Sequence, residues 1–310
     1  LVAEFPGSRL VNDCPMYNPP AEEDPAVAKL RARDVHAVAE LPEESDPIWT
    51  LARLLSSPTI ASKRWAYRQY DSTVRTSTVL RPGDGDAAVI RLRHTNRAIA
   101  LKTDCNGRYV SLDPRVGAQI AVAEAARNVA CTGARPMAIT NCLNFGNPKR
   151  PEVYFQFTQA VRGMGEACVA LGTPVTGGNV SFYNENPRGA VHPTPVVGMV
   201  GLIDSLEHIT RSTFRNVGDA IVLLGDCTDE IGGSEYLATV HGVTGGAPPW
   251  CDIVRERGVI NTLLQSIQAG VVASAHDCSD GGLAIAIAEC MMSDAEATTG
   301  ADIDLAPWDS

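Results

Sequence analysis

The nine cysteines of this 310-residue chain include no Cys-x-x-Cys pair, so neither a paired-thiol zinc site nor a disulfide framework is indicated. Scattered and odd in number, they read as reduced packing thiols of a cytoplasmic protein. Basic charge is also short. The 26 Lys and Arg face 36 Asp and Glu, for a net charge of −10. That excludes a nucleic-acid backbone as the main partner, since gripping one takes clustered cations. A nucleotide, which needs one local pocket, is not excluded. There is no signal-peptide pattern and no apolar run long enough for a bilayer, so no membrane partner is expected. An initiator Met is missing too: residue 1 is Leu, and the chain stops just after a strand-like Ile303-Asp304-Leu305. Both ends predict a piece of a longer chain, with part of the chemistry carried elsewhere.

What is present is a hydrophobic content of 45%, enough for one or two packed domains. Residues 1–45 are rich in Pro, Asp and Glu and read as an extended connector. A helix is expected over Pro47 to Leu55, and Ile60 to Arg75 is mixed in pattern. Ala87 to Arg93 and Ala98 to Lys102 read as strands. Asp113-Pro114 is an N-cap followed by Pro at the first helical position, opening a small-residue helix to about Thr132. A strand is expected over Pro136 to Leu143, an amphipathic helix over Glu152 to Leu171, and an apolar strand over Thr194 to Ile203. A second unit starts near Val217. It is expected to alternate strands at Ala220 to Leu224 and Val271 to Ala275 with helices at Ser234 to Val240, Asp252 to Gln268 and Gly281 to Met292. The fold class is therefore α/β (α+β), in two units.

Four stretches offer chemistry. Gly177-Gly178-Asn179-Val180-Ser181 follows a short β segment. It reads either as plain turn chemistry or as bare backbone for phosphate, with Asn179 and Ser181 free to hold a metal or a substrate oxygen. Asp86, in Gly85-Asp86-Ala87, is either a turn acid or a strand-edge carboxylate for Mg²⁺. Lys102 and Asp104 share one face of a strand, as a structural ion pair or as a phosphate cation beside a metal carboxylate. His276 and Asp277 stand together in Ser274-Ala275-His276-Asp277, before Ser279-Asp280-Gly281-Gly282. On a strand they would point to opposite faces, which argues against a dyad. The bland account is a helix start capped by Ser279 or Asp280. His36, His94, His192, His208 and His241 are isolated, and no Ser/His/Asp triad is supportable.

Taken in order with Lys102-Thr103-Asp104-Cys105-Asn106-Gly107-Arg108 and Thr140-Asn141-Cys142-Leu143-Asn144-Phe145-Gly146-Asn147-Pro148, these stretches resemble the second half of the phosphoribosylformylglycinamidine synthase family. Ile60-Ala61-Ser62-Lys63-Arg64-Trp65 and Glu152-Val153-Tyr154-Phe155 fit the same family. The Asp86 run is shared with a wider superfamily that includes aminoimidazole ribonucleotide synthetase, thiamine-monophosphate kinase and selenophosphate synthetase. The resemblance implies a connector over 1–50, a PurM-like sheet-forming domain over 51–205 and an incomplete PurM-like C-terminal domain over 206–310. It implies ATP contacts at Asn141 and Gly178, Mg²⁺ at Asn179 and the ribonucleotide substrate at Ser181. Many relatives have Asp where this chain has Asn141.

An auxiliary nucleotide and metal site is implied at Asp86, Lys102, Asp104 and Asp277. The family's first half carries two histidines on the strand matching this one, and here Asn106 and Arg108 replace them. Neither can act as a general base, so no catalytic residue is assigned on this chain. Asn128 stands where that half has a metal-binding Asp. The implied activity is ATP-dependent conversion of formylglycinamide ribonucleotide to its amidine with glutamine-derived ammonia. The implied partners are the first half of the same polypeptide, a glutaminase subunit and a small adaptor. The alternatives are a non-catalytic nucleotide-binding half, or another ATP-dependent synthetase or kinase of the superfamily.

Overall fold

A computed structural model describes residues 2–36, 46–292 and 299–304. Three of its helices open with the same two-residue signal. Asp24, Asp46 and Asp113 each accept a hydrogen bond from the helical backbone one turn in, and each is followed by Pro at the first helical position. The Asp oxygen satisfies an N–H that the helix cannot, and Pro has no N–H to strand. The helices so begun are α2 (Pro25–Arg31), α3 (Pro47–Leu55) and α6 (Pro114–Cys131). The N-terminal connector is therefore not simply extended, because it holds α2 and a short α1 (Gly7–Val11); residues 37–45 of it lie outside the described residues. The mixed stretch before the sheet forms α4 (Arg64–Tyr67) and a 3₁₀ turn at Val74–Thr76.

The first unit is built on a six-stranded sheet. Its strands are β1 (Thr78–Leu80), β2 (Ala88–Leu92), β3 (Arg97–Asp104), β4 (Arg135–Asn144), β5 (Val175–Ser181) and β8 (Thr194–Ile203), in the order β1-β2-β3-β8-β4-β5. Only β4 and β5 run parallel, joined by the crossover helix α7 (Pro151–Leu171). A two-residue hairpin, β6 (Glu185–Asn186) and β7 (Gly189–Ala190), stands apart. α5 (Gly107–Leu112) leads into α6. α6 and α7 cover one face of the sheet, and alternate residues of β8 are buried against them. The alanines of α6, among them Ala121, Ala125 and Ala126, are at most 1% exposed, which lets the helix lie close to the strands. The other face stays open: Leu101 and Met137 are about two-fifths exposed.

The second unit differs from its expected alternation. Its described helices are α8 (Glu235–His241), α9 (Ile253–Gln268) and α10 (Gly282–Met292), close to the expected spans. The expected strands at 220–224 and 271–275 do not form. A strand is defined by a ladder partner, and these segments pair with none among the described residues; Val222 and Val271 lie about three-quarters exposed. Residues 301–304 form no strand either, and Leu305 lies outside the described residues. No helix among the described residues is long and apolar enough to cross a membrane. The nine cysteines are all free.

Candidate functional site

The Gly177-Gly178 pair is not a turn. Both residues sit inside β5, whose ladder to β4 sets Asn141 opposite Gly178, Cys142 opposite Asn179 and Asn144 opposite Ser181. Gly178 has φ +154°, and a Cβ there would lie 2.1 Å from Asn141 Oδ1 and 2.4 Å from the Asn141 carbonyl. Glycine is thus required for these two strands to approach this closely. Asn141 also donates to Met164 Sδ of α7 at 3.3 Å, which places it and Gly178 on the helix-covered side. Strand alternation then puts Asn179 and Ser181 on the open face. Ser181 Oγ is held by Asn184, donating at 3.2 Å and accepting at 3.1 Å. The four residues are thus adjacent but divided between two faces of the sheet, Asn141 on β4 and the other three on the exposed edge strand β5.

The second set converges more closely. A polar cavity of about 290 Å³ has Asp86, Lys102 and Asn128 of the first unit on one side and His276, Asp277 and Asp280 of the second on the other. Lys102 and Asp104 share a face of β3 as expected. Asp104 is linked to the cavity through Asn128, whose Nδ2 lies 3.5 Å from Asp104 Oδ2 and 3.4 Å from Asp277 Oδ2. That amide stands between two carboxylates, in the position a cation would take.

The segment carrying His276 and Asp277 is irregular rather than a strand, so both reach one partner. His276 Nδ1 is 2.6 Å from Asp86 Oδ1, and the Asp277 backbone N–H donates to Asp86 Oδ2 at 2.8 Å. His276 Nε2 meets Glu289 of α10 at 2.9 Å. The side-chain ligand atoms of Asp86, His276 and Asp277 all lie within 4.8 Å of one another, so the expected opposite-face separation of His276 and Asp277 is wrong. Asp280 accepts from Asn106 Nδ2 at 2.9 Å.

Charge in this cavity is crowded. Burial, assisted by Asp277 and Asp280 and opposed by Lys102, pushes the Asp104 carboxyl up to about 7. Burial and the neighbouring Asp86 push Asp277 up to about 6. Burial, then Asp104 and Asp277, raises Glu124 of α6 well above the usual carboxylate range. Burial disfavours a charged His276, yet its hydrogen bonds to Asp86 and Glu289 win and raise it to about 11. His276 is therefore an imidazolium clamp, not a base. Arg127 bridges the units, with Nη1 2.8 Å from Glu256 of α9 and Nε 3.8 Å from Asp277 Oδ2. The charges of Asp104 and Glu124 act on the Asp86–His276–Asp277 cluster, giving a carboxylate-rich set of the kind a hard divalent cation takes.

Glu124 and Arg127 were not singled out from the sequence. The signal was available: Glu124, Arg127 and Asn128 stand at i, i+3 and i+4, one face of α6. Nor did the sequence show the new tasks of the residues in the histidine positions. Asn106 caps α5, accepting from Arg108 and Tyr109 N–H groups. Arg108 Nη2 is 2.7 Å from the buried Glu235 of α8, and its Nη1 donates to Gly233 O at 3.2 Å.

Two family domains match the chain: AIR synthase related protein, N-terminal domain, over residues 84–203, and AIR synthase related protein, C-terminal domain, over residues 216–308. The chain is similar to phosphoribosylformylglycinamidine synthase subunit PurL of Moorella thermoacetica, with 52% identity over 99% of this chain and 41% of the relative. Against the PurL subunit of Anaeromyxobacter sp. (strain Fw109-5) the values are 49%, 99% and 40%. It thus spans about two-fifths of the length of these relatives. The solved structure of PurLQS from Thermotoga maritima is 35% identical with a TM-score of 0.44, over 48% of this chain and 25% of that one.

Proposed function

The chain belongs to the AIR synthase related proteins, and within them to the phosphoribosylformylglycinamidine synthases of the PurL type; on that premise we propose that it supplies one part of the catalytic centre of an ATP-dependent synthase of purine biosynthesis. In the proposed reaction the γ-phosphoryl group of ATP passes to the formamide oxygen of formylglycinamide ribonucleotide. Ammonia derived from glutamine adds at that carbon, and phosphate leaves as the amidine forms. Asn141 and Gly178 contact ATP, and Ser181 holds the ribonucleotide. Asn179 offers an amide oxygen for Mg²⁺, which when bound neutralises charge on the transferring phosphoryl group.

The observation that carries this reading is the exposed edge. Residues 177–180 are all solvent-exposed on β5, so another surface must enclose any substrate held there. The proposed surface is the first half of a longer polypeptide, with a glutaminase and a small adaptor as further partners. The division at 205/206 and the cytoplasmic setting belong to the same proposal. Assayed in the longer enzyme, Asn179→Ala should lower turnover and shift its Mg²⁺ dependence. Ser181→Ala should mainly raise KM, by a factor corresponding to roughly 0.5–1.5 kcal/mol for one lost hydrogen bond. Unchanged kcat and Mg²⁺ dependence in Asn179→Ala would rule out the metal role.

A specific observation favours a second role for the inter-unit cavity. Its cationic and anionic residues are kept, while the two positions that carry histidines in the family's first half are tied into structure as Asn106 and Arg108. We read it as an auxiliary nucleotide–Mg²⁺ site that stabilises the fold without turnover. Lys102 meets phosphate; Asp86, Asp104 and Asp277 hold the metal. ADP with Mg²⁺ at a hundredfold excess over Kd should stabilise the chain by about 2.7 kcal/mol. Lys102→Ala with Asp104→Asn should abolish the shift in melting temperature, and an unchanged shift would make the pair an ordinary ion pair.

A further inference from the structure

The cavity between the units is polar around almost its whole wall, with one aliphatic exception. Ile60 lines it, beside Thr59. A nucleoside phosphate has two unlike ends. Its phosphates need charge and metal, and its base needs an apolar surface to lie on. The acidic and cationic residues supply the first need, and Ile60 alone supplies the second.

The turn that carries Ile60 is built rather than loose. Ser57 is 2% exposed, and its carbonyl accepts from the Ala61 N–H at 2.8 Å and the Ile60 N–H at 3.2 Å. Its Oγ lies 3.3 Å from the same Ile60 nitrogen. Lys63 Nζ closes the far side by donating to Thr59 O at 3.0 Å. Ile60 Cδ1 then lies over Gly281, where an added Cβ would stand 2.9 Å from it; the bare glycine, at φ +87°, admits the side chain to the wall.

We infer that the Thr59–Ile60 turn is the base-recognising wall of this cavity, with Ser57 as the positioning residue that holds it through the Ile60 and Ala61 N–H groups. The inference rests on the auxiliary-nucleotide reading above.

The test measures Mg²⁺-dependent binding of ADP and of inorganic pyrophosphate to the 310-residue chain by calorimetry. Pyrophosphate has the charged end and no base. Ile60→Ala should weaken ADP about tenfold and leave pyrophosphate within about twofold, as loss of an apolar contact alone requires. Ile60→Val should recover most of the ADP affinity. Ser57→Ala should repeat the Ile60→Ala pattern, and Lys102→Ala should weaken both ligands. If Ile60→Ala binds ADP like the parent, or loses both ligands equally, the wall assignment is wrong, while a Lys102 effect on both ligands leaves the nucleotide reading standing. If Ile60→Ala behaves as expected but Ser57→Ala does not, the positioning role alone is overturned. If the parent binds neither ligand, both the reading and the inference fall. Ligand-free melting curves check folding, and Ile60 variants, at a half-buried turn, keep the test decisive should Ser57→Ala not fold.

Discussion

Replacing Gly178 by Ala tests the geometry of the β4–β5 edge directly. The new methyl would stand 2.1 Å from Asn141 Oδ1 and 2.4 Å from the Asn141 carbonyl oxygen. Rotating the Asn141 side chain clears the first clash but not the second, because the second is backbone. The strands must then separate by several tenths of an ångström. Overpacking of this kind costs about 1–3 kcal/mol. Holding Ala at φ +154° adds on the order of 1 kcal/mol. The expected loss is therefore about 2–4 kcal/mol, or roughly 3–6 °C in Tm for a chain of 310 residues. Gly177 is the internal control: it is the next residue, in the same strand, with nothing within 4 Å of its added Cβ. Gly177→Ala should stay within about 0.5 kcal/mol of the parent. The assay is urea unfolding followed by circular dichroism, with hydrogen exchange of the β5 amides alongside. If the two variants unfold alike and both keep β5 protected, the close approach of Asn141 and Gly178 is refuted.

Three further outcomes follow from the inter-unit cavity and the exposed edge. The Asp104 and Asp277 carboxyls, at about 7 and about 6 against an ordinary 3.8, bind protons more tightly folded than unfolded, so the stability they contribute is present below pH 3.8 and is lost as pH rises to 7. A bound cation replaces those protons, so the stabilisation by Mg²⁺ and ADP should grow from pH 5 to 8, and a shift in Tm that stays flat over that range counts against the cluster as a cation site. Arg127→Met should cost roughly 3–5 kcal/mol in urea unfolding, because it strands Glu256, whose Oε2 already has no partner, beside a buried Asp277. Adding Glu256→Gln should recover part of that, and a loss below about 1 kcal/mol would contradict the bridge. The purified 310-residue chain should give no amidine from formylglycinamide ribonucleotide, ATP and ammonium; turnover above background would defeat the shared-site proposal.

The sequence by itself determined what depends on near neighbours. Asp-Pro at 113–114 announced α6, and the same pair at 46–47 opens α3. The identical signal at 24–25 was passed over inside a Pro-rich stretch, although its physics is the same. The two-residue period placed Lys102 and Asp104 on one face, because alternation is local to a strand. Spacing could not say that Gly177 and Gly178 lie within a strand, since that depends on β4 being there to pair with. For the same reason 220–224 and 271–275 looked like strands and formed none: apolar residues permit a ladder, but a partner makes it. The tertiary structure alone decided the cavity. Asp86, Lys102, Asn128 and Asp277 are separated by up to 191 residues, and no periodicity reaches that far. Folding brought their charges together out of water, where each carboxylate raises its neighbours. That same proximity made His276 a clamp and tied Arg108 to the buried Glu235.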